Sequence, residues 1–213
     1  MAAKPKTRRY DSTRRREQAA VTRRKILEAA EALFVRDGYV ATSMAAIAKD
    51  AGVALKTVYL AFETKSGLLR ALWNLRLRGD EAPVPVGERP WYQAVLEEPD
   101  PEKKLRMLIG GAAKIRARIG PVLEIVRGGA PADPEVGALW ERMQREFYEN
   151  QRTAIQSLKK GALKRGLTLE RAADILWTLN NPTVFLLLVN DRGWTLAQQE
   201  KWTGDVACRE LLR

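Results

Sequence analysis

The apolar side chains of this chain recur with the helical period of 3.6 residues along most of its length. In the first such segment, about residues 22–37, Ile26, Ala30, Leu33 and Phe34 fall on one face. Few stretches alternate apolar and polar residues as a half-buried strand does. The pattern predicts an all-α protein.

Four helices are predicted in the N-terminal third. The first ends at Asp37-Gly38, where glycine suits a left-handed position after the last turn. Thr42 and Ser43 are suited to cap the second helix. The three further helices cover about residues 44–51, 55–61 and from 65 onward.

A linker is predicted between Gly79 and Pro90, because three prolines and two glycines disfavour a continuous helix there. Helical periodicity returns after it, and Gly120-Pro121 is expected to start a short separate segment. Pro182 is expected to kink or interrupt the penultimate helix. The predicted C-terminal helices cover about residues 101–118, 134–160, 168–189 and 195–212.

Charge is concentrated at the N-terminus of the chain, which carries a net charge of +11 over 213 residues. Residues 1–25 hold ten lysines and arginines against two acids. Such a block is attracted to any polyanion. By itself it is equally consistent with a solvated tail and with an arm that binds nucleic acid.

The chain has no histidine and a single cysteine, Cys208. Zinc sites built from Cys and His need several such ligands, and Ser-His-Asp catalysis needs a histidine, so both are excluded. No phosphate-binding loop or nucleophile elbow is present, and we expect no enzymatic activity, no metal and no cofactor.

No export signal or membrane span is expected. Arg8-Arg9 is followed by a polar run rather than an apolar segment. The longest strongly apolar run, Val184 to Val189, is far shorter than a bilayer requires. We expect a cytoplasmic, nucleoid-associated protein.

Residues 42–62, TSMAAIAKDAGVALKTVYLAF, are typical of a helix-turn-helix, in which two short helices meet at a tight turn. Ala48 is small where the helices must approach, and Gly52 permits the left-handed turn. Val53 and Val58 are apolar where the second helix seats on the first. The same pattern also fits an ordinary corner of an all-α protein, but such a corner needs no polycation beside it.

In the DNA-reading interpretation, the second helix enters the major groove. Lys56 can donate to guanine or a phosphate, and Thr57 can reach a phosphate or a thymine methyl. The candidate DNA-binding residues are Thr42, Ser43, Lys56, Thr57, Tyr59 and Lys65, together with Arg14, Arg15 and Arg16 of the basic arm.

Residues 22–72 closely resemble the DNA-binding domain of the tetracycline-repressor (TetR) family. The resemblance rests on I-L-x-A-A-x-x-L-F from Ile26, G-Y-x-A-T-S from Gly38, I-A-x-x-A-G-V from Ile47, and T-V-Y-x-x-F-x-x-K-x-x-L-L from Thr57. It covers about a quarter of the chain. Beyond residue 80 the chain resembles the family only in length and helical character.

The resemblance implies an N-terminal three-helix helix-turn-helix DNA-binding domain joined to a larger C-terminal helical bundle for ligand binding and dimerisation. The expected domains are a basic, flexible arm (1–21), a DNA-binding domain (22–78) and a ligand-binding and dimerisation domain (79–213). It also implies a homodimer formed through the last two helices, a palindromic double-stranded DNA operator and a small-molecule effector of unknown identity.

The sequence departs from the family pattern at several positions that face or support DNA contact. Ala45 replaces a polar residue, Ala54 replaces the usual Ser or Thr cap, and Leu60-Ala61 replace a polar or aromatic pair. Gly67 stands where a glutamate often completes a capping box with Thr64. Base recognition is therefore expected to depend on few side chains, with Lys56 and Thr57 foremost.

Candidate walls of an effector pocket are mainly aromatic residues of the C-terminal region, because ligand pockets are usually apolar with a few orienting polar groups. The same residues also suit a plain core or a dimer interface. They are Trp91, Tyr92, Met107, Trp140, Met143, Phe147, Trp177 and Phe185, with Asn180 and Asn181 as polar candidates beside Pro182.

The function predicted from these observations is a sequence-specific transcriptional regulator, a repressor that a small-molecule effector releases from its operator. The alternative is a DNA-binding protein of the same fold without a small-molecule ligand, with an architectural or partner-controlled role.

Overall fold

A computed structural model describes residues 12–78 and 86–213 of the chain. Apart from one isolated bridge between Leu163 and Leu212, the regular structure in these two ranges is entirely helical. The helices are α1 (Ser12–Ala41), α2 (Met44–Asp50), α3 (Leu55–Phe62), α4 (Lys65–Arg78), α5 (Pro90–Glu97), α6 (Pro101–Gly129), α7 (Pro134–Gln156), α8 (Leu169–Leu179), α9 (Pro182–Leu186) and α10 (Leu196–Leu211), with a 3₁₀ turn at Val86–Glu88 and a π-helical turn at Leu187–Asp191. The predicted all-α class is confirmed.

Local sequence signals account for most helix starts. Helices α5, α6, α7 and α9 each begin with proline, whose missing N–H is not needed in the first turn. The side chain of Asp100 caps α6 by accepting from the Lys103 N–H at 2.7 Å. Thr195 and Gln198 form a capping box at the start of α10.

Helix α1 is longer than the sequence pattern predicted. It begins at Ser12, so residues 12–21 of the expected flexible arm are helical, and residues 1–11 lie outside the described residues. Its regular part ends at Gly38, as predicted. Gly38 has φ 80° and ψ 163°, a positive-φ conformation almost restricted to glycine, rather than the left-handed helical one that was expected.

The corner between α2 and α3 has the predicted form. Ser43 caps α2, and its hydroxyl oxygen accepts from the Ala46 N–H at 3.1 Å. Gly52 turns the chain with φ 66°. Ala54 provides no side-chain cap to α3, as its identity implies.

Two apolar cores divide the molecule. The first joins α1–α4 to the C-terminal half of α6 and the N-terminal half of α7. Helices α2 and α3, which form the helix-turn-helix, are therefore not packed as an isolated unit. Its fully buried members include Ile26, Phe34, Leu69, Val122 and Val136. Helices α6 and α7 therefore belong structurally to both ends of the protein.

The second core lies at the far end of the bundle. It is formed by α5, the N-terminal half of α6, the C-terminal half of α7, α8 and α10. The chain terminus closes this end, because Leu211 O accepts from the Lys164 N–H at 2.9 Å and the Arg213 N–H donates to Ala162 O at 3.1 Å.

The structure corrects one predicted element and adds another. Helix α6 continues through Gly120-Pro121 instead of stopping there. Burial of Val122 in the first core supports it across the proline, and Gly120 lies so close to Leu186 that a Cβ would come within 2.7 Å of that side chain. Residues 79–85 of the predicted linker lie outside the described residues, and helix α5 follows in a stretch to which the sequence pattern assigned no element.

The segment Leu169–Asp191 is, by length and composition alone, the one stretch in the described ranges that could cross a membrane. Its helical path is broken between Leu179 and Pro182, and 33% of its most apolar window is buried against the rest of the chain. Length and composition of this kind are also common in core helices, so the segment is weak evidence for a membrane.

Candidate nucleic-acid interface

The outward face of α3 is centred on an apolar side chain. Val58 and Phe62 are buried and seat the helix on α2 and α1. Leu60 lies two residues from each, about 200° around the helix, and is therefore opposite the buried face. It is 76% exposed, the most exposed large apolar side chain among the described residues.

Polar groups surround Leu60 on this face. Lys56 is exposed one turn earlier, Thr57 is half-buried beside it, and Tyr59 is 48% exposed. The face thus combines one ammonium donor and two hydroxyl groups with an apolar centre. Such a surface can contact phosphates, base edges and thymine methyl groups in a major groove.

The start of α2 presents Ser43 but not Thr42. Ser43 is exposed at the helix N-terminus, where the dipole favours an anion. Thr42 is 3% exposed, and its hydroxyl donates to Gly38 O at 2.8 Å. The side chain of Thr42 therefore fastens the end of α1 rather than facing outward, a correction to the expectation from sequence.

Lys65 also differs from its expected role. Its ammonium donates to the backbone oxygens of Tyr39, Val40 and Thr42 at 2.8, 3.3 and 2.9 Å. It lies 4.3 Å from the centre of the Tyr39 ring. Burial lowers the pKa of Lys65, and the nearby Asp133 opposes that shift. An ammonium has three N–H donors. In Lys65 all three bond to the α1–α2 connection, which leaves none for a phosphate.

Arg23 is a residue whose role the sequence analysis missed. It was counted only as part of the basic block, yet its guanidinium donates to Ala61 O at 2.6 Å and lies 4.1 Å from the centre of the Phe62 ring. These contacts fix the C-terminal end of α3 against α1. Its spacing of three residues before Ile26, on the inward edge of the helix, was the available signal.

The arginines of the basic stretch lie on the first turns of α1. Arg14, Arg15 and Arg16 are exposed in a helix whose later turns support α3. A helical rather than flexible support gives these charges a fixed direction from the reading face.

Two polar contacts join this module to the start of α7. The Tyr39 hydroxyl donates to Asp133 Oδ2 at 2.5 Å, and the Ser66 hydroxyl donates to Glu135 Oε2. Burial, and then the bond to Asp133, raise the pKa of Tyr39; the same bond lowers the pKa of Asp133. Asp133 is also the N-cap of α7, so this hydrogen bond joins the C-terminal end of α1 to the first turn of α7.

A third contact joins the far end of α4 to α6. The guanidinium of Arg118 donates to the backbone oxygens of Arg76 and Leu77, the latter at 2.9 Å. Arg76 in turn pairs with Glu31 of α1. Helix α4 is therefore held at both ends, by the α1–α2 connection through Lys65 at its start and by α6 through Arg118 at its end.

The residues predicted to line an effector pocket are divided between the two cores and other parts of the bundle. Met143 and Trp140 belong to the first core, whereas Tyr92, Trp91 and Met107 belong to the second. The remaining members lie elsewhere in the bundle: Phe185 is buried, Phe147 and Trp177 are half-buried, Asn180 is buried at the end of α8, and Asn181 caps α9.

One cleft of about 570 Å³ lies between α4, α5, α6 and α10. Of the predicted pocket residues, it includes Trp91. The indole of Trp91 lies directly over Gly111, where a Cβ would come within 2.6 Å of the ring. The lining residues are Leu77, Val86, Arg89, Trp91, Gly110, Gly111, Lys114, Ile115, Arg118 and Glu200. In the part of the chain that the structure describes, no cluster of Cys, Asp and Glu is suited to hold a metal.

Comparisons with known proteins agree with this architecture. The sequence profile of the bacterial regulatory proteins, tetR family, matches residues 26–72. No curated protein sequence gives a significant match. Among solved structures, NalD, the secondary repressor of the MexAB-OprM multidrug efflux pump in Pseudomonas aeruginosa, has a TM-score of 0.68 at 23% identity, covering 92% of this chain and 98% of its own.

Two further structures share the fold. The SmeT–triclosan complex has a TM-score of 0.70 at 20% identity, covering 91% of this chain and 92% of its own. The transcriptional regulator FadR from Bacillus subtilis, in complex with stearoyl-CoA, has a TM-score of 0.64 at 18% identity, covering 88% of this chain and 98% of its own.

The profile match falls on the helices that build the reading face, and the fold likeness extends over the bundle behind them. The protein is a DNA-binding transcriptional regulator whose residues 26–72 match the profile of the bacterial regulatory proteins, tetR family.

Proposed function

We propose that this regulator is a homodimeric, cytoplasmic repressor that binds a palindromic operator and releases it when a small molecule binds the C-terminal bundle. The observation that supports this most directly is the double attachment of α4. One rigid helix is held by the reading module at Lys65 and by the bundle at Arg118.

On the DNA side, we assign base contact to Lys56 and Leu60 and phosphate contact to Ser43, Thr57 and Tyr59. Lys56 can donate to guanine, while Leu60 can only pack against apolar groups such as the thymine methyl. The basic first turns of α1 add phosphate contacts that carry no sequence information.

Dimerisation is assigned to α8–α9 and α10, the two C-terminal segments. Leu187, Leu196 and Trp202 remain exposed there by 52, 42 and 39%. Trp194 and Trp202 form an edge-to-face pair on the same surface. A second copy covering this surface would place one reading face in each half of a palindrome.

On the effector side, the solved relatives with bound triclosan and stearoyl-CoA support a ligand site in the bundle. A ligand that moves α6 acts on α4 through Arg118. Release then requires tighter binding of the effector to the DNA-incompetent dimer than to the competent one.

Selection of bound duplexes from random DNA, followed by a compound screen for release, tests the proposal. We expect enrichment of a palindrome and its release by a small molecule. A monomeric protein, or one that binds every duplex alike, would contradict the regulator interpretation. A dimer that binds a palindrome but responds to no compound would instead support a ligand-free, partner-controlled role.

The basic start of α1 gives a quantitative expectation. Replacing Arg14, Arg15 and Arg16 with glutamine should flatten the slope of log affinity against log salt concentration by up to about 3, because each phosphate contact contributes about 0.9 to that slope. Affinity should fall on operator and random DNA alike. Titrations from low to physiological salt measure it, and an unchanged slope would remove these arginines from the interface.

A further inference from the structure

A buried polar cluster lies in the middle of the C-terminal bundle, and we define it as Arg116, Gln151 and Asn180. Their exposed fractions are 2, 3 and 0%. The Arg116 guanidinium donates to Asn180 Oδ1 and to Ile109 O, the latter at 3.0 Å. Asn180 donates onward to Gln151 Oε1 at 3.0 Å. The cluster joins α6, α7 and the end of α8.

The charge of Arg116 is not balanced by a bonded acid. No carboxylate of a described residue lies within ion-pair distance, and Glu200 is the acid whose charge acts on it from farther away. Burial lowers the pKa of Arg116 to about 10, so the side chain stays protonated at neutral pH. Its Nε–H is buried without an acceptor. Burying a cation without a paired anion, and with one N–H unbonded, lowers the stability of the fold.

Lys104 is a second buried cation of the same bundle, and it is held differently from Arg116. It is also buried, at 3% exposed, and its ammonium donates to Leu96 O, Ser157 O and Ser157 Oγ at 2.8, 2.7 and 2.9 Å. All three donors of Lys104 are used. The Nε–H of Arg116, in contrast, has no acceptor and can donate a hydrogen bond to an oxyanion.

Arg116 itself does not line the cleft, but an aromatic ring and one acid of the cleft lie near it. The Phe185 ring lies 5.6 Å from its guanidinium carbon. Glu200, whose charge reaches Arg116, lines the cleft together with Trp91 and Ile115. The cleft volume of about 570 Å³ falls within the range of small-molecule sites. The lining combines apolar residues with the cations Arg89, Lys114 and Arg118, so an acid with an apolar body suits both Arg116 and the cleft.

We propose that the effector is an amphipathic organic acid whose carboxylate pairs with Arg116, taking the place of Asn180, while its apolar part occupies the cleft beside Trp91. This inference rests on the proposed effector-controlled function. Asn180 ends α8 beside the break before α9, and Arg118 lies two residues along α6 from Arg116. Exchange of the Arg116 partner therefore acts on the dimer helices and on α4 together.

The test uses matched acids and neutral amides. Decanoate and benzoate, each paired with decanamide and benzamide, are titrated into the full-length protein at constant ionic strength. Thermal unfolding and tryptophan fluorescence are recorded. We expect the acids, but not the amides, to raise the unfolding temperature, because a charge-assisted bond to a buried guanidinium is strong.

Variants separate a binding role from a structural one. Arg116→Gln, which can still donate to Asn180, should weaken the better acid about tenfold or more, and Arg116→Lys should retain part of the response. Glu200→Gln should tighten acid binding roughly two- to fivefold, because it removes a competing carboxylate. Lys104→Gln, the matched control, should leave the acid response unchanged in whatever fraction folds.

Several results would overturn the inference. They are equal binding of acid and amide, an undiminished acid response in Arg116→Gln, and no stabilisation of the unaltered protein by either acid. Operator binding is measured in parallel. If only neutral or cationic compounds release a palindrome, the acid site is refuted and the proposed function stands. If acids bind at Arg116 but no operator is found, the acid site stands and the proposed function is refuted.

Discussion

Replacing Gly38 with alanine is expected to lower the free energy of unfolding by about 2 kcal/mol, because φ 80° with ψ 163° is a conformation that a Cβ opposes. For a chain of this size the unfolding temperature should fall by ~4–8 °C. Thermal unfolding at a fixed protomer concentration measures the effect, since the proposed dimerisation would make the midpoint depend on concentration.

Gly128 provides the matched control. It lies in α6, is exposed, and an added Cβ would meet nothing within 4 Å. Gly128→Ala should therefore raise stability slightly or leave it unchanged, because alanine is the better helix former. Equal shifts in the two variants would show that the Gly38 conformation is not required.

The second large effect is expected at Lys56. Lys56→Ala should weaken binding to the selected operator by ~1–3 kcal/mol, roughly 5- to 150-fold, while binding to random DNA changes little. The reason is its position one turn from Leu60 on the outward face, where a donor meets base edges. Titrations of both DNAs at one salt concentration measure it.

Leu60→Ala is the matched comparison, because it alters the same face without removing charge. Its salt slope should equal that of the unaltered protein, and its affinity should no longer distinguish thymine from uracil in the half-site, since uracil lacks the methyl group. An equal loss for Lys56→Ala on operator and random DNA would make Lys56 a phosphate contact instead.

Local signals in the sequence predicted much of the fold. Gly52 and Ser43 have the conformations and caps that their residue types favour over a few neighbours. The expectation that the helix stops at Pro121 was wrong, because the burial that carries α6 past it comes from distant parts of the chain. Helix α5 was hidden by the prolines around it, although Pro90 is itself a favourable first residue.

The candidate site was less predictable, because side-chain direction depends on tertiary contacts. Lys65 and Thr42 carry groups that suit DNA, yet backbone oxygens at the end of α1 engage both. Arg116 was missed altogether. The available signal was a charged residue on the apolar stripe of α6, three residues after the buried Ala113 and seven after Ile109.

The three carbonyl contacts of Lys65 have a consequence for how this regulator diversifies. They lock the end of α1, the start of α2 and the start of α4 into one block, and Arg23 adds α3 to it. Under the proposed function, a signal from the bundle would tilt the block as a unit and leave its internal geometry intact. Operator specificity and effector specificity can then change by separate substitutions. Exchanging outward residues of α3 between relatives should therefore change the operator that is bound and leave the effector response unchanged.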